Sequence, residues 1–550
     1  MNRRDLIKAL GLMGASMTIP SFAAKQSFAA NISARELRNA RAIINGEINF
    51  IAPASLPTVI NIYMYGGPSE LAGNLLNIED ITGAKGSKGM SQNDYKVARP
   101  DITQTFKRAD NSGQITGNSL WKNAGGLIME DLIAGNQMSI YRTINRVEGD
   151  TKAHRESIFT AQTGGLATMS TPGIGTTLAA ILRVKIADKF ENPDPTKQPI
   201  MPFVTFESQP VSYDLGDISL PPQLRAVSIS SDLRNPYGYA RAFNDNSSSP
   251  PDCIVDGKAQ ACSSALGQLA DAVSGGYSPN YGRYVSAFSR RADLNVKFDA
   301  TFNNLAGRMP AADANGAFGT LNNNNVQNTA DTSFFLQDAL NANTTAIKQG
   351  SLSFSSGFGA TLRNAVLFAL VNKDTRFITL STGGLGGWDD HDNSIVKYEQ
   401  RMQTLMSDLR NAVRLLRAGT ATGGVADVNS ARNDVVINVF GEFGRNVNLN
   451  GSMGWDHGNN MNLYTLGGHY TPGVSGVPGR TLGQVVGTTK VVGSGNDNRL
   501  YTTPDLAKDA RTFQPYSIAA TVYKYFGVQN PNVLTADPML APNGYGPIDG

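Results

Sequence analysis

The chain has 550 residues, 41% apolar and 17% charged, with a formal net charge of +3. That composition excludes a disordered chain and is large enough for one large or two ordinary domains. Lysine and arginine are scattered with no long basic run, so nothing points to a nucleic-acid track.

The amino terminus carries Arg3 and Arg4, then an apolar stretch from Ala9 to Ile19, then small-residue steps at Ser21–Ala23 and Ser27–Ala29. This is the layout of a signal peptide with the paired arginines of the twin-arginine route. Residues 1–29 are therefore expected to be a signal, the export machinery a partner, and the protein periplasmic or extracellular. The apolar run is shorter than the roughly 20 residues a membrane span needs, and no other segment is apolar enough to cross a bilayer.

Residues 30–215 read as the first part of an α/β core. Thr58–Tyr65 (TVINIYMY) is a buried strand ending at Gly66-Gly67. Residues 119–135 are helical, Ser139–Ile144 is a strand, His154–Gly164 and Thr176–Val184 are helices, and Pro202–Glu207 is a strand. Residues 216–330, rich in Ser, Pro, Asn and Tyr, read as an irregular insertion or cap. This region contains Cys253 and Cys262, the only cysteines. In an oxidising compartment they are expected to form a disulfide closing a short surface loop. Residues 331–550 read as the second part of the core. Phe358–Asn372 is helical and Arg376–Ser381 a strand. Ile395–Arg417 is a long amphipathic helix with Tyr398, Met402, Leu405, Leu409, Val413 and Leu416 on one face. Asp434–Phe440 is a strand and Tyr516–Phe526 a helix.

Helices alternating with short apolar strands predict an α/β fold, a mainly parallel central sheet flanked by helices. Ligands of such sheets bind beyond the carboxyl ends of the strands. Three predicted strands run into glycine-rich loops there: GGPSELAGN after Tyr65, TGGLGGWDDHDN after Ser381, and GEFGRNVNLNGSMGWDHGNN after Phe440. These loops are expected to converge.

The chain has four histidines, and His391, His457 and His469 fall in such glycine-rich stretches. Asp389 and His391 are two apart, so both face one way in an extended segment. Asp456 and His457 are adjacent. Aspartate and histidine together suit zinc, manganese or iron. A single loop histidine is more often a hydrogen-bonding surface residue, and Asp-His beside glycine is common in turns. Taken jointly, in so histidine-poor a chain, the pattern favours one or two divalent metal ions.

GGPS at Gly66–Ser69, GGWDDH at Gly386–His391, EFGR at Glu442–Arg445 and GWDHG at Gly454–Gly458 together resemble an exported bacterial family, number fifteen-oh-one in the domain-of-unknown-function series. That family is grouped with the alkaline phosphatase and sulfatase superfamily. The resemblance covers most of the mature chain and is specific in those loops. It implies an alkaline-phosphatase-like core with a metal-dependent hydrolase site for phosphate or sulfate esters. Asp389 and His391 would then serve one ion and Asp456 and His457 a second, with His469 completing the first site. Glu442 would be a further ligand or a carboxylate behind the ligands. Arg445 would grip an anionic oxygen of the substrate or pair with Glu442.

The chain departs from the family pattern in two places. Ala72 stands where the family carries an aspartate, with Glu70 and Asn74 out of register, and Gly441 stands where serine is usual. A single ion, or a site that binds without turnover, is the reading these departures favour. Candidate nucleophiles are Ser69, Ser170, Thr171, Thr176 and Thr177. Thr176, before an apolar helix, represents the group, although threonine there is commonly a plain helix cap. His154 occupies a place where the family often has a histidine; it reads as a helix N-terminal histidine without catalytic duty. No phosphate-binding GxxxxGK[ST] loop or GxSxG elbow is present. The rival reading is a non-catalytic exported scaffold that binds a surface polysaccharide.

Overall fold

The computed structural model describes residues 42–43, 45–70, 105–109, 115–121, 124–145, 153–166, 171–193, 197–199, 201–207, 210–229, 252–255, 258–261, 354–418, 421–422, 425–426, 432–469, 476–486, 488–492, 499–503, 513–538 and 546–549. The strands that matter for the site are, in chain order, β1 (Thr58–Met64), β2 (Met138–Asn145), β3 (Phe203–Thr205), β4 (Val227–Ser228), β5 (Phe377–Ser381), β6 (Val435–Gly441), β7 (Gly444–Leu449), β8 (Trp455–Gly458), β9 (Asn460–Gly467) and β10 (Val485–Val486). The main helices are α1 (Gly126–Ala134), α2 (His154–Thr163), α3 (Ile174–Lys185), α4 (Phe358–Val371), α5 (Ser394–Ala418) and α6 (Ser517–Tyr525).

Eight strands form one mixed sheet in the order β10-β2-β9-β6-β1-β5-β3-β4, while β7 and β8 pair separately as a hairpin. All pairings are parallel except those of β9, which runs antiparallel between β6 and β2. The fold is therefore α/β with a mostly parallel sheet, as the alternation of elements predicts.

β1 and β6 are buried at every position, because helices cover both faces of a central parallel strand. One face of the sheet presents Ile60, Ile62, Ile437 and Ile378 to a core shared with α1, α4 and α5. Tyr398, Met402, Leu405, Leu409, Val413 and Leu416 of α5 all enter that core, as their three- and four-residue spacing requires. The other face presents Val59, Val436, Phe203 and Phe377 to α3 and α6. The runs TVINIYM and VVINVFG lie in register with Asn61 opposite Asn438, whose Nδ2 donates to Asn61 Oδ1 at 3.2 Å. This buried amide hydrogen bond forms only in this alignment, which penalises any slip of one strand along the other.

The stretch Gly451–Tyr470, expected to be loop, is instead largely β8 and β9. β9 is buried along its whole length. Being antiparallel, it begins at the end of the sheet where β1, β5 and β6 finish and carries the chain to the opposite end. That reversal decides which histidines can meet. β2 ends on the same side as β1, β5 and β6 and is followed by α2.

Residues 1–29, most of 216–330, and Ala72, Asn74, Ser170 and Cys262 lie outside the described residues. Cys253 is on a short strand, Asp252–Val255, paired antiparallel with Lys258–Ala261. Among the described residues no helix is long and apolar enough to cross a membrane.

Candidate metal centre

The three glycine-rich loops do converge, and their backbones touch. Trp388 N donates to Tyr65 O at 3.0 Å, and Trp455 N to Asp390 O at 2.9 Å. Two glycines make the approach feasible. Gly66 has φ +108°, and a Cβ there would stand 2.8 Å from Trp388 C and 2.9 Å from Trp388 N. A Cβ on Gly454 would collide with the carbonyl of His391. Both positions exclude any larger residue.

Arg445 binds the loops together. Its side chain is fully buried. Nε donates to Gly67 O at 2.7 Å, Nη1 to Trp455 O at 2.8 Å, and Nη2 to Gly66 O and to Asp389 Oδ1, the last at 2.5 Å. Nη1 also lies 3.3 Å from His391 Nε2. Nη2 also approaches Trp388 O at 3.4 Å, so all three guanidinium nitrogens are engaged within the protein. The expected grip on a substrate oxyanion would have to compete with these internal contacts. Its acidic partner is Asp389, which its fork reaches directly.

Around Asp389 Oδ1 stand three imidazoles. His391 Nε2 is 3.0 Å away, His457 Nε2 3.6 Å and His154 Nε2 3.7 Å. The ligand atoms of His154, Asp389 and His457 all lie within 4.8 Å of one another. An ion about 2.1 Å from each tetrahedral ligand places those ligands roughly 3.4 Å apart, so these spacings are close to coordination distances. Burial pushes the Asp389 carboxyl up. The hydrogen bond and charge of Arg445, with His391 and His154, outweigh it and hold the group below its ordinary value. Asp389 is thus an anion at neutral pH.

The rings are held from behind. Glu442, wholly buried at the end of β6, accepts a hydrogen bond from His154 Nδ1 at 3.0 Å and another from Gly66 N. The bond from His154 fixes the tautomer and leaves the lone pair of Nε2 facing Asp389, the arrangement of a carboxylate-oriented metal-ligating histidine. Burial is the largest influence on Glu442 and raises its pKa against the opposing pull of His154, Gly66 and Arg445. Asp456 Oδ1 lies 3.3 Å from His391 Nδ1 and is itself steadied by Asn450 Nδ2 at 3.1 Å. His391 and His457 approach each other through their Nε2 atoms at 3.2 Å, a contact that needs either one shared proton or a cation. Phe443, buried, packs against both His154 and His457, with ring centroids 5.1 and 4.3 Å apart. The donor set accordingly fits a divalent ion: His154, Asp389 and His457 form the trio, with His391 beside it. Side-chain exposures of 41% for His154 and 48% for Asp389 leave the cluster accessible from solvent.

Several predicted residues are placed differently. His469 follows β9 and so stands at the opposite end of the sheet from the other histidines. Burial first, then Arg417 and Arg480, hold its imidazole below the usual range, against a hydrogen bond that the ring donates to the backbone carbonyl of Asn136. The four residues Asp389, His391, Asp456 and His457 form one cluster, whereas the family resemblance divided them between two ions. Asp456, expected as a ligand, lies against His391 Nδ1, and Glu442 against His154 Nδ1. Glu70 is fully buried by Asn462 and Tyr464 of β9, and burial raises its pKa well above the ordinary carboxyl value. Thr176 is buried in the first turn of α3, whose apolar residues enter the core on the far face of the sheet, so its hydroxyl is not offered to solutes. The residues that sequence reasoning set aside are His154, read as idle, and Phe443, which was not considered. The only signal for His154 was its position after a strand that ends on the site side.

Glu442→Gln is expected to weaken divalent-metal binding about 10- to 100-fold, the usual effect of removing a carboxylate behind a ligating histidine. Competition titration against a chelator measures it; an unchanged affinity would show that Glu442 does not orient His154.

A family model described as protein of unknown function (DUF1501) matches residues 277–531. The match spans Asp389, His391, Glu442, Arg445, Asp456 and His457, while Gly66 and His154 lie before it. No curated protein gives a significant match to the chain.

Proposed function

We propose that this chain is an exported metal-dependent hydrolase-like protein, acting on phosphate or sulfate esters from an alkaline-phosphatase-like core. One observation carries the reading. Three of its four histidines, contributed by α2, the β5 loop and β8, meet Asp389 at the carboxyl end of the sheet. Three imidazoles and a carboxylate suit zinc, manganese or a similar divalent ion. Because Asp389 is common to all three histidines, the cluster holds one ion. When bound, such an ion polarises an ester oxygen and lowers the pKa of a coordinated water. The side chains supply the rest: His154, Asp389 and His457 hold the ion, and His391 stands as a fourth. Glu442 and Asp456 keep two rings turned inward, and Phe443 walls one side with apolar surface. The half-exposed rim admits a small anionic ester. Export through the twin-arginine machinery and a Cys253–Cys262 disulfide follow from the sequence and complete the proposal.

A second reading keeps the metal but not the turnover: an exported scaffold binding a surface polysaccharide. It is favoured by Arg445, whose guanidinium nitrogens are all engaged within the protein, and by the burial of Thr176. Metal analysis of the purified protein is the first test, and about one divalent ion per chain is expected, as for a mononuclear site. Equal, negligible metal in the wild type, His391→Ala and His457→Ala ends the metal reading. A screen of aryl phosphates and sulfates over several divalent metals then separates the two. Turnover that disappears in Asp456→Ala supports the hydrolase, and bound metal without turnover supports the scaffold.

A further inference from the structure

Just beyond the cluster, a chain of side-chain hydrogen bonds crosses the carboxyl ends of the strands. Ser212 N and Oγ donate to Gln162 Oε1 at 2.9 and 3.1 Å, which fixes which end of that amide is nitrogen. Gln162 Nε2 donates to the Tyr65 hydroxyl at 3.2 Å, and that hydroxyl donates to Glu207 Oε2 at 3.2 Å. Ser381, at the end of β5, also hydrogen-bonds the Glu207 carboxylate. Burial and the neighbouring Glu207 raise the pKa of the phenol, so it remains a donor.

Tyr65 and the peptide that follows it contact three of the segments that build the centre. Its hydroxyl holds α2 through Gln162. Its carbonyl accepts from Trp388 N, the residue before Asp389. The next peptide N–H, that of Gly66, donates to Glu442, which orients His154. Gln162 and His154 are eight positions apart on α2, about 12 Å along a helix axis. The helix is thus tied at both ends to one short segment, at His154 through Glu442 and Gly66, and at Gln162 through Tyr65.

We propose that Tyr65 is a positioning residue of the metal centre: with Gln162 and Glu207 it sets the placement of α2, and so delivers His154 Nε2 to Asp389. The proposal rests on the metal-centre reading above. Small angular errors matter, because a ligand set must be held to within roughly half an ångström of its working geometry.

The test is a chelator-competition titration with zinc, run beside thermal melting of the metal-free protein. Tyr65→Phe and Gln162→Leu are each expected to weaken zinc binding about tenfold, within the range for groups that orient ligands. The double variant should be no weaker than either single one, since both break the same contact. Glu207→Gln keeps an acceptor for the phenol and should bind zinc like the wild type, whereas Glu207→Ala should not. A merely structural role would lower the melting temperature and leave zinc affinity untouched; that result, or additive losses in the double variant, overturns the proposal. Gln162→Leu and Glu207→Ala carry the test if Tyr65→Phe fails to fold. Failure of the wild type to bind zinc would sink the metal centre itself, whereas binding that ignores Tyr65→Phe sinks only this inference.

Discussion

Asp389→Ala is expected to lower divalent-metal affinity roughly 100-fold or more, about 2.7 kcal/mol at 1.36 kcal/mol per tenfold. Asp389 Oδ1 lies within 3.7 Å of all three imidazole nitrogens. It is also the only anionic member of the trio, so its loss removes both a ligand and the charge that offsets a divalent ion. His391→Ala should cost less, because His391 stands beside the trio of His154, Asp389 and His457. His469→Ala, at the far end of the sheet, should bind like the wild type. Asp389→Asn separates charge from shape, since an amide oxygen can still accept from Arg445 Nη2. Isothermal titration with zinc reads all four variants, and an Asp389→Ala protein that binds as tightly as the wild type removes the site from this cluster. There is an associated pH effect. The folded-state pKa of Asp389 is depressed, so its ionised contact with Arg445 stabilises the fold above the unfolded value of about 3.9. That stabilisation fades as pH falls through the folded value and should be missing in Asp389→Asn.

The elements that the sequence revealed are those whose residues are sorted by hydrophobicity alone. β1, β2, β3, β5 and β6 and helices α1, α3, α4, α5 and α6 lie where apolar runs and spacings place them, because each faces a core rich in Ile, Leu, Val and Phe. β9 was hidden for the opposite reason. Its interior positions include Asn460, Asn462 and Thr465, all buried, and polar residues flanked by glycine carry the signature of a turn. Missing that strand put His469 on the wrong side of the sheet. His154 was obscured for a different reason: its partner Glu442 is 288 positions away, and no local pattern marks a histidine whose ring is set by so distant a carboxylate. The convergence of the three loops, by contrast, was legible, since strand direction alone brings the ends of β1, β5 and β6 together.

Arg445→Lys is expected to destabilise the protein by about 2–4 kcal/mol, the cost of one or two buried carbonyls left without a donor. The reason is geometric. The guanidinium plane reaches the carbonyls of Gly66, Gly67 and Trp455 and the Asp389 carboxylate at once. An ammonium keeps the charge but cannot satisfy acceptors spread over three loops, and each buried carbonyl left without a donor costs about 1–3 kcal/mol. The same substitution also decides the role of this residue. Were Arg445 a substrate-gripping group, lysine would preserve folding and metal content and change only the response to anionic substrate. As a clamp between loops, it should lower the denaturation midpoint and metal affinity together, because Asp389 is held in place by the same guanidinium. Urea unfolding of the metal-free protein, paired with zinc titration, gives the two quantities separately. Unchanged values of both would mean that the loops hold one another without Arg445, and would return the residue to the substrate side of the site.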